Sequence, residues 1–264
     1  MLRLPAISSL GILLLACSGL PTFAAAWLQD EGSGQIIATG LYSSANEAFL
    51  DRSGDTEPID FEKGAATLLI DYGVRSWLTV SGTAEFGSES SDGLPFRRPG
   101  LSNASLFART QLYRSDLYAM SVELGGRVED AYGEADLEVD QFGWDAPLIE
   151  ARWSGGGNFE VFGRASFVDL SAGYRYRLGE GPNEILLDAS LGVRAFDRTT
   201  LLLQSFATIA EDSPEASYAY QKAQASVVYD LNETWSIQSG GFATIAGREA
   251  LKERGAFAGL WYRF

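Results

Sequence analysis

The feature that most constrains the fold of this chain is a strict alternation of apolar and polar residues. It is clearest in FVDLSAGYRYRL, residues 167–178, and it recurs in residues 185–196 and 222–231. Along 167–178 one face carries Val168, Leu170, Ala172, Tyr174, Tyr176 and Leu178, and the other carries Asp169, Ser171, Gly173, Arg175 and Arg177. A period of two residues indicates β-strands, and helical periodicity is poor throughout.

The polar face of these strands separates a membrane barrel from a soluble sheet. A soluble sheet turns its polar face to bulk water and is rich there in lysine and glutamate. Here that face carries glycine, serine, threonine, glutamine and isolated aspartate and arginine, and tyrosines gather near strand ends. This pattern is typical of a transmembrane antiparallel β-barrel with lipid outside and a polar interior.

Twelve segments fit this pattern, an even number, as single-chain bacterial barrels require. They are 35–44, 63–73, 78–86, 103–113, 117–128, 146–153, 166–178, 185–196, 199–209, 219–230, 235–245 and 255–264. Tight joins alternate with long ones (45–62, 87–102 and 129–145), as short periplasmic turns and long outer loops predict. The join after the sixth segment, GGGNFEVFGRA, is long where a short one is expected.

The N-terminus is predicted to be a secretory signal peptide. One positive charge and a short apolar run precede small residues, and Ala24 with Ala26 forms an A-x-A cleavage pattern before Trp27. The predicted organisation is therefore a signal peptide over 1–26 and an outer-membrane β-barrel over 27–264.

A different processing route stays open. LLAC, which ends at Cys17, resembles a bacterial lipoprotein box, so a lipoprotein or a soluble periplasmic β-protein remains an alternative. Cleavage after Ala26 removes the single cysteine, and the mature chain then forms no disulfide.

Charge and composition exclude several function classes. A net charge of −15 argues against nucleic acid as a partner. The chain has no histidine, which excludes a Ser-His-Asp mechanism, and it has no phosphate-binding glycine motif. We therefore predict no enzyme activity, no cofactor and no metal site.

Acidic residues concentrate in two of the predicted loops, with a net charge of −5 in 45–62 and −7 in 129–145. The four residues Glu134, Asp136, Glu138 and Asp140 would share one side of an extended segment. We consider them candidate ligands of a divalent cation that bridges lipopolysaccharide phosphates. The simpler interpretation is a solvated loop that repels its neighbours.

The alternation also predicts which charges face the barrel interior. The inward bases are Arg109, Arg127, Arg152, Arg175, Arg177, Arg194 and Lys222, and the inward acids are Asp71, Glu85, Glu123, Glu150, Asp169 and Asp188. Seven bases against six acids predict an interior that is near neutral or slightly positive. One interpretation is a basic track for anionic or hydroxyl-rich solutes, and the other is a set of salt bridges that plugs the barrel.

Two phenylalanines are further candidates for solute contact. Phe206 and Phe242 recur in the similar segments QSFATIA and GGFATIAG, and both are predicted to point inward with Thr208 and Thr244. They could stack on sugars, although ordinary packing of the interior explains them as well.

The chain ends on an apolar strand, GLWYRF. Gly259, Tyr262 and Phe264 resemble the C-terminal signal that the outer-membrane barrel assembly machinery reads, with a departure at Phe257, where that signal prefers a polar residue. From AWLQDEGSGQII to KERGAFAGLWYRF the chain resembles a loosely characterised group of proteobacterial outer-membrane barrels. The resemblance implies a place in the outer membrane of Gram-negative bacteria, and some such barrels are associated with solute uptake or polysaccharide secretion.

These observations predict a passive, porin-like transport channel for small hydrophilic solutes, anionic or saccharide in nature. The alternative is a plugged, non-conducting barrel that supports exopolysaccharide secretion or envelope integrity. The expected partners are outer-membrane lipid, lipopolysaccharide, the assembly machinery and the solute.

Overall fold

The computed structural model describes residues 26–50, 54–91, 94–129, 147–179, 181–211 and 217–264, without the side chains of 94–98 and 129. The strands are β1 (Gly34–Phe49), β2 (Thr56–Arg75), β3 (Leu78–Ser91), β4 (Leu94–Arg114), β5 (Tyr118–Glu129), β6 (Leu148–Val161), β7 (Arg164–Arg177), β8 (Glu184–Phe196), β9 (Thr199–Ala210), β10 (Ala219–Asp230), β11 (Trp235–Arg248), β12 (Ala250–Leu251) and β13 (Arg254–Arg263). Within these ranges no helix is long and apolar enough to cross a membrane.

The strands form one closed antiparallel barrel. Each strand pairs with its neighbours along the chain, and β1 closes the sheet by pairing with β2 on one side and with β12 and β13 on the other. The two-residue β12 pairs with Ala48 and Phe49 of β1 and lies in line with β13. The two together therefore count as one strand of the barrel. The barrel therefore has twelve strands, and the fold predicted from the alternation is confirmed.

The joins differ from the prediction at both ends of the barrel. Most of the expected loops 45–62 and 87–102 belong to strands, because β1 and β2 stay paired as far as Phe49 and Thr56. These hairpins extend past the lipid layer, where water meets both faces and an apolar alternation is not needed. The acidic segment Glu134–Asp140, with its candidate cation ligands, lies outside the described residues.

The long join expected after the sixth segment was wrong. Gly155–Gly157 belong to β6, and the chain turns at Phe162 and Gly163, whose φ angles of 52° and 72° are left-handed. Glycine adopts this conformation freely, so Gly163 suits a tight turn. All the turns at this end of the barrel are short, namely 76–77, 115–117, 162–163, 197–198 and 231–234, which marks it as the periplasmic end.

The outer face of the barrel is apolar. Large exposed side chains point away from the interior around the whole circumference, among them Leu106, Leu124, Leu170, Leu187, Leu203, Ile237 and Leu260. Aromatic residues stand near the periplasmic turns, including Trp77, Tyr113, Tyr118, Trp235 and Phe264. An apolar belt with an aromatic girdle suits lipid and not water, so the soluble alternative does not fit this surface.

The C-terminal strand closes the barrel through its last residue. The Phe264 N–H donates to the Gly34 carbonyl at 3.0 Å, and the Gly34 N–H donates to the Phe264 carbonyl at 2.8 Å. The Phe264 ring stacks on Tyr262 and Tyr72, with centroids 5.7 and 6.3 Å away. The chain thus leaves no unpaired strand edge in lipid at this seam.

Candidate functional site

The interior of the barrel holds all seven basic residues that the alternation placed there. Their strands are β4 (Arg109), β5 (Arg127), β6 (Arg152), β7 (Arg175 and Arg177), β8 (Arg194) and β10 (Lys222). Most are buried by neighbouring side chains, whereas Arg194, close to the periplasmic end, keeps 40% of its side chain exposed. All six predicted acidic partners are inside as well.

Five charged side chains on β6, β7 and β8 form a continuous ion-pair ladder. Glu150 lies at its centre and accepts from Arg152 at 2.9 Å and from Arg175 at 3.0 Å. Arg175 also pairs with Glu184 at 2.5 Å, and Arg152 pairs with Asp188. Because each carboxylate meets a guanidinium across a strand boundary, the ladder ties three adjacent strands together by charge-assisted hydrogen bonds.

Two more charge clusters lie on other walls. Arg109 pairs with Glu123 at 2.7 Å between β4 and β5. Lys63, on β2, pairs with Glu85 at 2.9 Å and with Glu89 at 3.2 Å on β3, and all three of these side chains are almost fully buried. Buried charges are tolerated only with such partners, so these clusters are fixed parts of the interior.

Lys222 is held by an acid that the sequence analysis missed. Its ammonium lies 2.5 Å from Glu253, in the gap between β12 and β13, and Glu253 also accepts from Ser43. Burial alone would raise the pKa of the Glu253 carboxyl, but Lys222 and these hydrogen bonds outweigh it and lower that pKa. The carboxylate is therefore charged at neutral pH.

The two candidate stacking residues lie on either side of Lys222, in different environments. The Phe242 ring is 5.5 Å from the Lys222 ammonium and covers Gly255, where a Cβ would come within 2.7 Å of the ring. Phe242 thus packs against the inner side of the barrel wall. Phe206 lines the central cavity and remains the better placed of the two for contact with a solute.

The structure adds further charged residues to the interior. It adds Lys63, Arg263, Glu89, Glu184, Asp230 and Glu253 to the inward charges, so the described residues supply nine bases and ten acids. The balance is therefore close to neutral, which is one of the two outcomes expected from the sequence. Glu89 lies in a segment taken for a loop, and Glu184 and Glu253 lie just outside predicted strands, where a continued alternation would have found them.

Two spaces lie along the axis of the barrel. The central cavity has a volume of about 150 Å³ and is lined by polar and charged groups such as Asp71, Arg109 and Arg152, with Phe206 and Leu69. A periplasmic vestibule of about 600 Å³ is lined by Gln35, Arg194, Asp230, Arg263 and Val228, among others. Charged and polar side chains line both spaces together with apolar ones.

An apolar layer separates these two spaces. Ile37, Leu69, Leu202, Val228 and Trp261 point inward from five strands and pack into one buried cluster, with Phe167 against it. Leu69 lines the cavity and Val228 lines the vestibule, so the layer lies between them. Apolar constrictions of this kind gate channels by excluding water. This layer was not predicted from the sequence.

Among the described residues, no group of acidic side chains is arranged to hold a metal ion. The acids of the interior are instead engaged with arginine, lysine, serine and glutamine side chains. Asp71, for example, accepts from Gln35 at 2.8 Å and from Ser81 at 2.5 Å.

Comparisons with known proteins agree with this architecture. No protein-family model matches the chain, and no curated protein matches its sequence. The fold is similar to that of the COG4313 outer membrane channel from Pseudomonas putida F1, with a TM-score of 0.73 and 11% identity over 90% of this chain and 98% of that one. It is also similar to the NanC porin (TM-score 0.55, 8% identity, 86% of this chain and 98% of that one). A KdgM porin in complex with disordered oligogalacturonate gives a TM-score of 0.54 at 8% identity, over 87% of this chain and 99% of that one. The chain is therefore a closed, twelve-stranded β-barrel of the bacterial outer membrane.

Proposed function

We propose that this barrel is a passive channel for small hydrophilic solutes, and that its interior is the solute path. The observation that carries the proposal is a central cavity and a vestibule, each lined in part by charged side chains, that are divided by an apolar layer. The similar folds named as a channel and as porins support it. The chain has no histidine for general-base chemistry, which favours a non-enzymatic role.

The chemistry of the cavity wall favours polar solutes that can replace existing hydrogen bonds. The guanidinium groups of Arg109 and Arg152 can grip carboxylate or hydroxyl oxygens in a bidentate way. Their own acidic partners, Glu123 and Glu150, compete for the same donors and keep the net charge low. We therefore propose weak charge selectivity, with anionic solutes and small saccharides as the substrate class.

Solute flux into vesicles tests this function. Purified protein reconstituted in liposomes should admit monosaccharides and small sugar acids, and flux should fall steeply as the solute grows, because the interior is narrow. Empty liposomes and the heat-unfolded protein are the controls. Swelling rates equal to those of empty liposomes for every solute would contradict the channel.

A plugged barrel is the second candidate, and the same apolar layer favours it. If the layer never opens, the ladder and the clusters serve only to fill and stiffen the interior. The long outer hairpins would then carry a role in polysaccharide secretion or envelope integrity. Lipopolysaccharide remains the proposed partner of this outer surface.

We also propose that Gly259, Tyr262 and Phe264 form the signal read by the barrel assembly machinery. Phe264→Asp should sharply reduce the amount of folded, heat-modifiable barrel in the outer membrane, because it puts a charge at the lipid-facing seam. Phe162→Asp is the matched control, since Phe162 is fully exposed in a periplasmic turn and aspartate tolerates its left-handed φ. Equal amounts of folded protein for the two variants would remove the proposed signal.

A further inference from the structure

The segment that precedes β1 runs through the interior of the barrel. We call residues 26–33 the strap. Ala26 is 0% exposed and Leu28 is 5% exposed, although neither belongs to a strand. Short segments at the ends of a chain are usually poorly ordered unless something ties them down, so the contacts of the strap need a reason.

Side chains from three walls hold the backbone of the strap. The Ala26 N–H donates to Asp169 Oδ2 on β7 at 2.9 Å, and the Ala26 carbonyl accepts from Gln111 Nε2 on β4 at 3.0 Å. The Gln29 N–H donates to Thr79 Oγ1 on β3 at 2.9 Å. These hydrogen bonds attach the strap to β7, β4 and β3 across the interior.

Two glycines make room for the strap. A Cβ at Gly156 of β6 would lie 2.1 Å from the Trp27 ring and 3.1 Å from the Ala26 Cβ. A Cβ at Gly73 of β2 would lie 2.1 Å from the Asp30 carbonyl oxygen. Any larger residue at either position would push the strap off the wall, so its seat is built into the barrel.

The strap lies at the boundary between the two spaces. Asp169 lines the central cavity, whereas Gln29 and Ser33 line the vestibule. It therefore occupies the same level of the axis as the apolar layer and narrows the path from the vestibule. The strap then joins the periplasmic rim, where Glu31 meets Arg75 at 3.3 Å and Asp30 meets Arg114 at 3.4 Å.

We propose that the strap is a built-in closure of the interior, and that removal of the signal peptide strengthens its attachment to the barrel wall. A signal peptidase adds water across the Ala26–Trp27 bond, so Ala26 leaves with the carboxyl group and Trp27 keeps its nitrogen as an amine. That amine takes up a proton near neutral pH and becomes an α-ammonium group. It lies one residue, about 3.8 Å of chain, from the position where the Ala26 amide meets Asp169.

The new ammonium group pairs with Asp169 and so replaces a neutral hydrogen bond with an ion pair in a sheltered site. The effect of the strap on conductance rests on the proposed channel function, whereas its seating does not.

Two variants release the strap by different means. Asp169→Asn removes the carboxylate, and Gly156→Ala places a methyl group against the Trp27 ring without changing the charge. Asp188→Asn is the matched control for the first, because it removes one interior carboxylate that does not touch the strap. Gly40→Ala is the control for the second, since a Cβ there meets open space.

Amine labelling tests the seating without any assumption about transport. Protein purified from the outer membrane is treated with a bilayer-impermeant, amine-reactive reagent, and the modification of Trp27 is followed by mass spectrometry. We expect the Trp27 amine to react at least ~10-fold faster in Asp169→Asn and Gly156→Ala than in the wild type and the two controls. An equal rate in all five proteins, or a mature chain that starts at any residue other than Trp27, overturns the proposal.

Planar-bilayer recordings of the same five proteins supply the second arm. We expect the two release variants to conduct at least about twofold more than the wild type, because the path beside the apolar layer widens. If the wild type conducts and the two release variants show the same conductance, closure by the strap is contradicted. If no protein conducts and labelling still shows a protected Trp27 amine, the proposed channel function fails and the seated strap stands.

Discussion

Glu150→Ala is expected to destabilise the barrel by about 3–5 kcal/mol, because it removes the carboxylate that two buried guanidinium groups share. Arg152 and Arg175 keep one partner each, Asp188 and Glu184, but both lose their common acceptor in a sheltered site. Urea unfolding of the protein in lipid vesicles, followed by tryptophan fluorescence, measures the loss as a shift of the midpoint.

The same strand offers a matched control. Glu160 is exposed near the periplasmic end of β6, so Glu160→Ala should change the unfolding free energy by no more than about 0.5 kcal/mol. The double variant Glu150→Ala with Arg175→Ala should recover part of the loss, because it also removes one of the stranded charges. If Glu150→Ala is as stable as Glu160→Ala, the ion-pair ladder does not stabilise the barrel.

The inward and outward faces of the strands could be predicted from the sequence because they depend on a local period of two residues. Arg175 and Tyr174, for example, are neighbours in sequence and face opposite sides of β7. The ends of the strands could not be predicted as well. Glu89, for example, continues the alternation beyond the predicted segment 78–86, where no apolar face marks the strand.

The apolar layer escaped prediction because it joins residues that are far apart in sequence. Ile37 and Trp261 belong to the first and last strands. They pack in one cluster with Leu202 of β9 and Val228 of β10. A local signal exists all the same. Each of these residues belongs to a short run of consecutive apolar residues, such as II at 36–37, LLL at 201–203, VV at 227–228 and LW at 260–261. Such runs make both faces of a strand apolar.

The strap escaped prediction for a different reason. Residues 26–33 have neither a strand period nor a helical one, and sequence alone does not show that Asp169 and Gly156 form a seat for them. Only the closure of the barrel brings β3, β4, β6 and β7 around one short segment.

Trp261→Ala is expected to have the largest effect on transport. Trp261 is fully buried at the centre of the apolar layer, and its indole N–H donates to Gln238 at 3.3 Å. Removal of the indole leaves a gap between the vestibule and the central cavity, into which water can pass. Conductance should rise at least about threefold, although the variant loses about 3–5 kcal/mol of packing stability. Trp235→Ala is the control, because that indole packs on Tyr262 on the outer face.

The central claim, that solutes cross through the interior and are held back at the apolar layer, is tested most directly by single-channel recording in planar bilayers. Wild type, Trp261→Ala and Trp235→Ala are compared under identical salt. The account predicts a small conductance for the wild type and for Trp235→Ala, and a conductance at least about threefold larger for Trp261→Ala. A silent wild type together with a silent Trp261→Ala would contradict the account and leave the plugged barrel in its place.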